Sequence, residues 1–223
     1  MQAEKALSIL KRSDQFMDRF DYREVEQTEY NLGDTPSLVI LTTRNYLVFN
    51  GAGPATLTNP EFKDAAIAMY RYAEDIHQLA AHSQALSWYR DYVPYPLSVY
   101  IAPNGQYTLL IKQPNFTEPE LLTQAQQADH DATGAAKQVA YRRLAEGTEV
   151  QLLTQGPVTA DNPVWDTLAT FMAAHDMKRT VEGHREVYLD NILTTSAEQV
   201  RTLVRIPVNA TDQGDTDYPI ARN

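Results

Sequence analysis

The sequence predicts an α+β fold: duplicated strand-helix-strand-strand units forming antiparallel sheets, with helices on one face, a central cleft and an N-terminal helix. Three observations predict it. The loop pattern G-P-x-x-x-x-N-P occurs twice, from Gly53-Pro54 to Asn59-Pro60 and from Gly156-Pro157 to Asn162-Pro163. Each copy lies between a β-rich stretch and a helical apolar stripe. After each stripe come two matching strands, Val99-Tyr100-Ile101 against Val187-Tyr188-Leu189 and Ile111-Lys112-Gln113-Pro114 against Val204-Arg205-Ile206-Pro207. The offset is 103 at the loop and helix, 88 at the third element and 93 at the fourth, changing only between elements, as loop insertions would make it.

Each element has its own signal. Ala3, Ala6, Leu7, Leu10, Met17 and Phe20 fall near helical spacing and predict a helix over 2–20. Leu38-Val39-Ile40-Leu41 and Tyr46-Leu47-Val48-Phe49 are β-rich. Asn59 at the N-cap and Pro60 at the first helical position open a helix through about 82. Asn104-Gly105 between apolar runs predicts a hairpin. The mixed-charge stretch 117–145 reads as two helices split near 131–134, a solvated connector between the copies. A strand over 149–154, a helix from Pro163 to about His175 and strands over 185–190 and 200–206 complete the second copy. The expected organisation is an N-terminal helix and connector over 1–33, one domain over 34–208 with copies at about 37–114 and 149–207, and a polar tail over 209–223.

Composition narrows the function. The 223 residues carry 19 basic and 29 acidic side chains, a net charge of −10. Such a surface repels phosphate backbones and argues against direct nucleic-acid binding, while favouring cationic ligands or basic partners. With no cysteine, disulfide scaffolds, thiolate metal sites and cysteine nucleophiles are excluded. No apolar run reaches membrane-spanning length, and Met1-Gln2-Ala3-Glu4-Lys5 does not begin like a signal peptide. The expected location is cytoplasmic. No nucleophile elbow, phosphate loop or dinucleotide fingerprint appears, and the histidines show no metal spacing, so neither cofactor nor metal is expected.

The strand Arg185-Glu186-Val187-Tyr188-Leu189 carries the candidate site. Strands alternate faces, so Val187 and Leu189 should pack under the helices while Glu186 and Tyr188 look the other way. The duplication then sets Ser98 against Glu186 and Tyr100 against Tyr188, and a pseudo-twofold would turn all four toward a shared cleft. A carboxylate among aromatic rings suits a lipophilic cation, through charge neutralisation and the ring faces. The same pattern also fits a solvated sheet face with β-favouring tyrosines. Trp88, Tyr89, Tyr92 and Tyr95 form an aromatic cluster that suits either a pocket wall or a packed loop.

Taken together, Phe20-Asp21-Tyr22, Asn59-Pro60-Glu61-Phe62, Tyr95-Pro96-Leu97, Ile111-Lys112-Gln113-Pro114-Asn115-Phe116, Gln155-Gly156-Pro157, His184-Arg185-Glu186-Val187-Tyr188-Leu189 and Leu203-Val204-Arg205-Ile206-Pro207 resemble the GyrI-like small-molecule-binding family. The resemblance implies a tandem strand-helix-strand-strand fold and a cleft for amphipathic, often cationic, compounds, with a buried Glu at the position of Glu186. Some standalone members are similar to hydrolases that open cyclopropanoid alkylating toxins, and others act on gyrase or a regulator through protein contacts. Relatives commonly read P-L-E-G, followed by Trp, where this chain has Pro96-Leu97-Ser98-Val99-Tyr100. That departure bears on hydrolysis, for which Glu186 would be the catalytic residue, more than on binding. The expected partner is a small molecule, with any protein partner unspecified.

Overall fold

A computed structural model describes residues 19–83, 86, 89–130, 132–209 and 220–221. The helix expected over 2–20 lies outside the described residues except at its end, where Phe20 bridges Tyr92. The elements in order are α1 (Tyr22–Val25), β1 (Ser37–Leu41), β2 (Arg44–Ala52), α2 (Pro60–His82), β3 (Leu97–Ile101), β4 (Gln106–Gln113), α3 (Pro119–Ala128), α4 (Gly134–Gln138), β5 (Ala140–Leu144), β6 (Gly147–Gln155), α5 (Val164–Ala174), β7 (Lys178–Arg179), β8 (His184–Tyr188), β9 (Arg201–Asn209) and β10 (Ile220–Ala221). One sheet runs β10-β1-β6-β9-β8-β3-β4-β2-β5, with β7 paired to β9. Every pairing is antiparallel except that of β1 with β10.

The duplication is visible in the topology. The halves β2-β4-β3 and β6-β9-β8 meet at the central β3–β8 ladder. Each half is completed by a strand from the other end of the chain. β1 precedes β2 yet pairs with β6, and β5 precedes β6 yet pairs with β2. This exchange sets the curvature. Leu41 and Arg44 are three Cα steps apart, at most about 11 Å. In a flat sheet β1 and β2 would lie six strand spacings apart, about 29 Å. The sheet must therefore curl until its ends approach, and the Leu144 to Gly147 crossing imposes the same closure.

Helices α2 and α5 cover the convex face. Phe62, Met69, Tyr72 and Ile76 of α2 are buried with Leu47, Phe49, Leu109 and Ile111 of the sheet. Leu168 and Met172 of α5 pack with Val150, Val204 and Ile206. The concave face is lined by charge. Arg44 donates to Glu29, Lys112 bonds both oxygens of Glu26 at 2.9 and 2.8 Å, and Arg205 bonds Gln151 at 2.9 Å and the Glu29 carbonyl. Arg185 and Tyr46 both donate to Glu146, in the β5–β6 crossing. Residues of both halves reach these carboxylates because the face is concave.

Two expectations are corrected here. Residues 140–144 form a strand rather than the end of a helix. The stretch is an edge strand with only its β2 side paired, so its side chains are partly exposed and lack the alternation that marks a half-buried strand. Nor is the preceding connector merely solvated: Leu121, Leu122 and Ala125 of α3 and Ala136 of α4 are buried against the α2 core.

Candidate functional site

The repeated loop pattern folds identically in both copies. Gly53 and Gly156 take φ of 94° and 86°, a left-handed conformation that glycine adopts without strain. Their N–H groups donate to Gly105 O at 2.8 Å and Val200 O at 2.9 Å. Asn59 Nδ2 donates to Pro54 O at 2.9 Å, and Asn162 Nδ2 to Pro157 O at 3.1 Å. The Asn59 Oδ1 accepts from Glu61 N at 3.1 Å, and the Asn162 Oδ1 from Val164 N at 3.0 Å. Each Asn thus caps its helix and ties down its loop.

These two loops, 53–57 and 156–159, which lead into α2 and α5, wall a cleft of about 450 Å³. Its floor includes Glu186, Tyr188, Ile101 and Thr202, and the long β8–β9 connection adds Ile192, Thr195 and Ala197 on one side. Glu186 is 7% exposed. Its Oε2 accepts from the Tyr188 hydroxyl at 2.9 Å, and its Oε1 lies 3.1 Å from His184 Nε2. Burial first, and then the Glu186 charge, push the Tyr188 phenol well above its ordinary value, so it stays a donor. His184 meets the Trp165 ring edge-on at 4.8 Å, and Trp165 Nε1 donates to Thr159 O at 2.8 Å, linking the carboxylate to the loop wall. Among the described lining residues Glu186 alone is charged. No group of three or more His, Asp or Glu among the described residues could hold a metal ion.

Glu186 and Tyr188 come together as expected; Ser98 and Tyr100 do not join them. Ladder partners share a face, and the register sets Ser98 opposite Val187, Val99 opposite Glu186 and Tyr100 opposite Arg185. Ser98 therefore lies on the concave side, its hydroxyl donating to Leu110 O at 3.3 Å. Tyr100 lies on the same side, packed with Tyr46, Val48 and Leu110. The helix-covered face is that of Glu186 and Tyr188, the reverse of the expectation that Val187 would pack under the helices. Register also gives the true symmetry mates. Leu47 and Val150, 103 residues apart, pair with Ile111 and Ile206, which makes Leu109 the mate of Val204. Leu109 pairs with Val99 and Val204 with Glu186, so Val99 is the mate of Glu186. His184, two positions before Glu186 on the same strand face, lies 3.1 Å from its carboxylate, a contact the expected site did not include.

No family model and no curated protein matches the chain. Solved structures do. A hydrolase encoded by lin2189 from Listeria innocua is 22% identical with a TM-score of 0.75, covering 86% of this chain and 100% of that one. Another structure, of a hydrolase from Listeria innocua, gives a TM-score of 0.74 at the same identity and coverage. The chain has the GyrI-like fold. At this identity the likeness is one of fold. Among the described residues no helix is long and apolar enough to cross a membrane.

Proposed function

We propose that the protein binds amphipathic small molecules, cationic or polyaromatic, in the cleft walled by loops 53–57 and 156–159, as a xenobiotic-sensing or sequestering module. One observation carries this reading: among the described residues Glu186 is the single charge lining an otherwise mostly apolar cleft, nearly buried and fixed by two neighbours. A carboxylate in such a place favours a cation that brings its own apolar surface. Calorimetric titration with crystal violet and with its uncharged leuco form tests it. A charge-assisted contact is worth about 1.5–3 kcal/mol, so Glu186→Gln should weaken the cation by roughly tenfold or more and leave the neutral form unchanged. Equal loss for both forms, or none for the cation, refutes the role of the charge.

A second reading is hydrolysis of a strained electrophile such as a cyclopropanoid alkylator. The observation favouring it is the His184–Glu186–Tyr188 set, a carboxylate able to take a proton from water beside a phenol able to donate. Product formation followed by mass spectrometry should then vanish in Glu186→Gln. Saturable binding without product rejects hydrolysis and leaves the binding reading standing.

A further inference from the structure

A second cavity, of about 590 Å³, opens at one end of the concave face, beside the β1–β2 crossing at Thr42 and Thr43. It shares no described lining residue with the Glu186 cleft. Its walls are aromatic: Phe20 and Tyr95 have ring centroids 6.5 Å apart, and Tyr92 and Phe116 meet edge-to-face at 5.8 Å. Arg44, Arg90 and Lys112 line it with one lining carboxylate, Glu26, which pairs with Lys112, while Glu29 pairs with Arg44 and stands 3.6 Å from Lys112 Nζ. A locally positive cavity runs against the chain's net charge of −10.

We propose that this cavity is a second ligand site and takes a planar aromatic anion, an aromatic carboxylate or sulfonate. Arg44 and Lys112 are 5% and 9% exposed, so their charges act in a poorly hydrated place. Lys112 Nζ also stands 4.5 Å from the Tyr95 ring centre, so a flat ligand reaching the ammonium meets that ring too. Burial holds the Lys112 ammonium below its ordinary value, helped by Arg44, although Glu29 and Glu26 pull the other way. An arriving anion meets these cations beside the Tyr95 ring, whereas an arriving cation meets like charge. The volume suits a ligand of two or three fused rings, since small-molecule sites commonly span about 300–1,000 Å³. The two cavities thus read opposite signs of charge on opposite faces of one sheet.

The test is titration with naphthoate and, in parallel, naphthylmethylammonium, followed by calorimetry and by amide shifts in heteronuclear NMR. Naphthoate should saturate, shift the amides of Thr42, Thr43 and Asn115, and bind equally well to Glu186→Gln. Asn115 lines the cavity and is exposed, so Asn115→Trp fills the mouth without entering the core; it should weaken naphthoate at least tenfold while crystal violet binding persists. Lys112→Met should abolish naphthoate binding, and Asn115→Trp keeps the test intact if that buried change unfolds the chain. Absence of saturable naphthoate binding overturns the proposal. So do shifts confined to Gly53 and Gly156 with loss in Glu186→Gln, full affinity in Asn115→Trp, or equal binding of the ammonium in this cavity.

Discussion

Asn59 and Asn162 hold both walls of the cleft, and replacing them separates two contributions. In Asn59→Ala the helix loses its cap bond to Glu61 N, worth about 1 kcal/mol and at most about 2. It also loses the bond from Nδ2 to Pro54 O, a neutral hydrogen bond of about 0.5–1.5 kcal/mol. The expected cost is about 1.5–2.5 kcal/mol by those two terms. In Asn59→Asp the carboxylate still accepts from Glu61 N and favours the helix N-terminus. Only the donor to Pro54 O and, more weakly at 3.4 Å, to Ala52 O is gone, so the cost should fall to about 1 kcal/mol. Asn162→Ala and Asn162→Asp should repeat the pattern, because the bonds to Val164 N and Pro157 O have the same geometry. Urea denaturation at neutral pH measures all four. Binding of crystal violet should weaken in both alanine variants, since loops 53–57 and 156–159 wall the cleft. An Asp variant as costly as its Ala counterpart would mean the cap bond contributes nothing, and the reasoning would fail.

Two further outcomes follow from burial. A methyl at Gly51 would overlap the Tyr107 ring, which is 2% exposed and packed edge-on against Phe62 at 5.3 Å; Gly51→Ala should cost about 1–3 kcal/mol in urea denaturation. The concave carboxylates should respond to pH in opposite senses. For Glu29, burial alone would raise its value, but Arg205, Lys112 and Arg44 outweigh it and leave it below the ordinary 4.5. Its stabilisation is present above pH 4.5 and is lost as pH falls through the depressed folded value. Glu29→Gln leaves Arg44 buried without its partner and should cost about 3–5 kcal/mol at neutral pH. Glu149 is raised, burial outweighing Arg185 at 3.5 Å and Arg205, with Glu146 and Glu29 adding repulsion. The folded state then holds that proton more tightly than the unfolded chain, so stability falls as pH climbs from 4.5 through the folded value. Glu149→Gln should raise the urea midpoint at neutral pH and leave it unchanged in acid; a lowered midpoint at neutral pH would refute this.

The repeat was legible because its signals are local. A Gly that needs positive φ and an Asn that caps a helix are dictated within one turn of chain, so G-P-x-x-x-x-N-P survives in both copies. What the sequence concealed was parity. Matching Val99 to Val187 by residue type gave an even offset of 88, whereas the ladder requires Val99 to match Glu186, an odd offset of 87. A slip of one residue moves every side chain to the other face, which is how Ser98 and Tyr100 were carried into the wrong side of the sheet. Val-Tyr recurs in both strands by β-propensity, and propensity is blind to register. The alternation rule did pair Glu186 with Tyr188, because that inference stays within one strand. Similarly, β5 was hidden because an edge strand owes its place to a partner distant in sequence, here β2, rather than to its own apolar pattern.

The exchange of β1 and β5 bears on what a copy of the repeat is. Neither half, taken alone, contains the strand that completes its outer ladder, since β1 belongs to β6 and β5 to β2. The concave charges repeat this dependence. Glu29, ahead of the first copy, faces Arg44 and Lys112 of the first and the Arg205 side chain of the second. Arg185 of the second reaches Glu146, which also receives the Tyr46 hydroxyl of the first. A half folded by itself would expose two ladder edges and strand buried-type charges without partners, both costly. The duplicated unit is therefore a unit of symmetry and not of stability. The cleft inherits the consequence: its two loop walls come from different copies, and the carboxylate between them sits on the strand where the copies join.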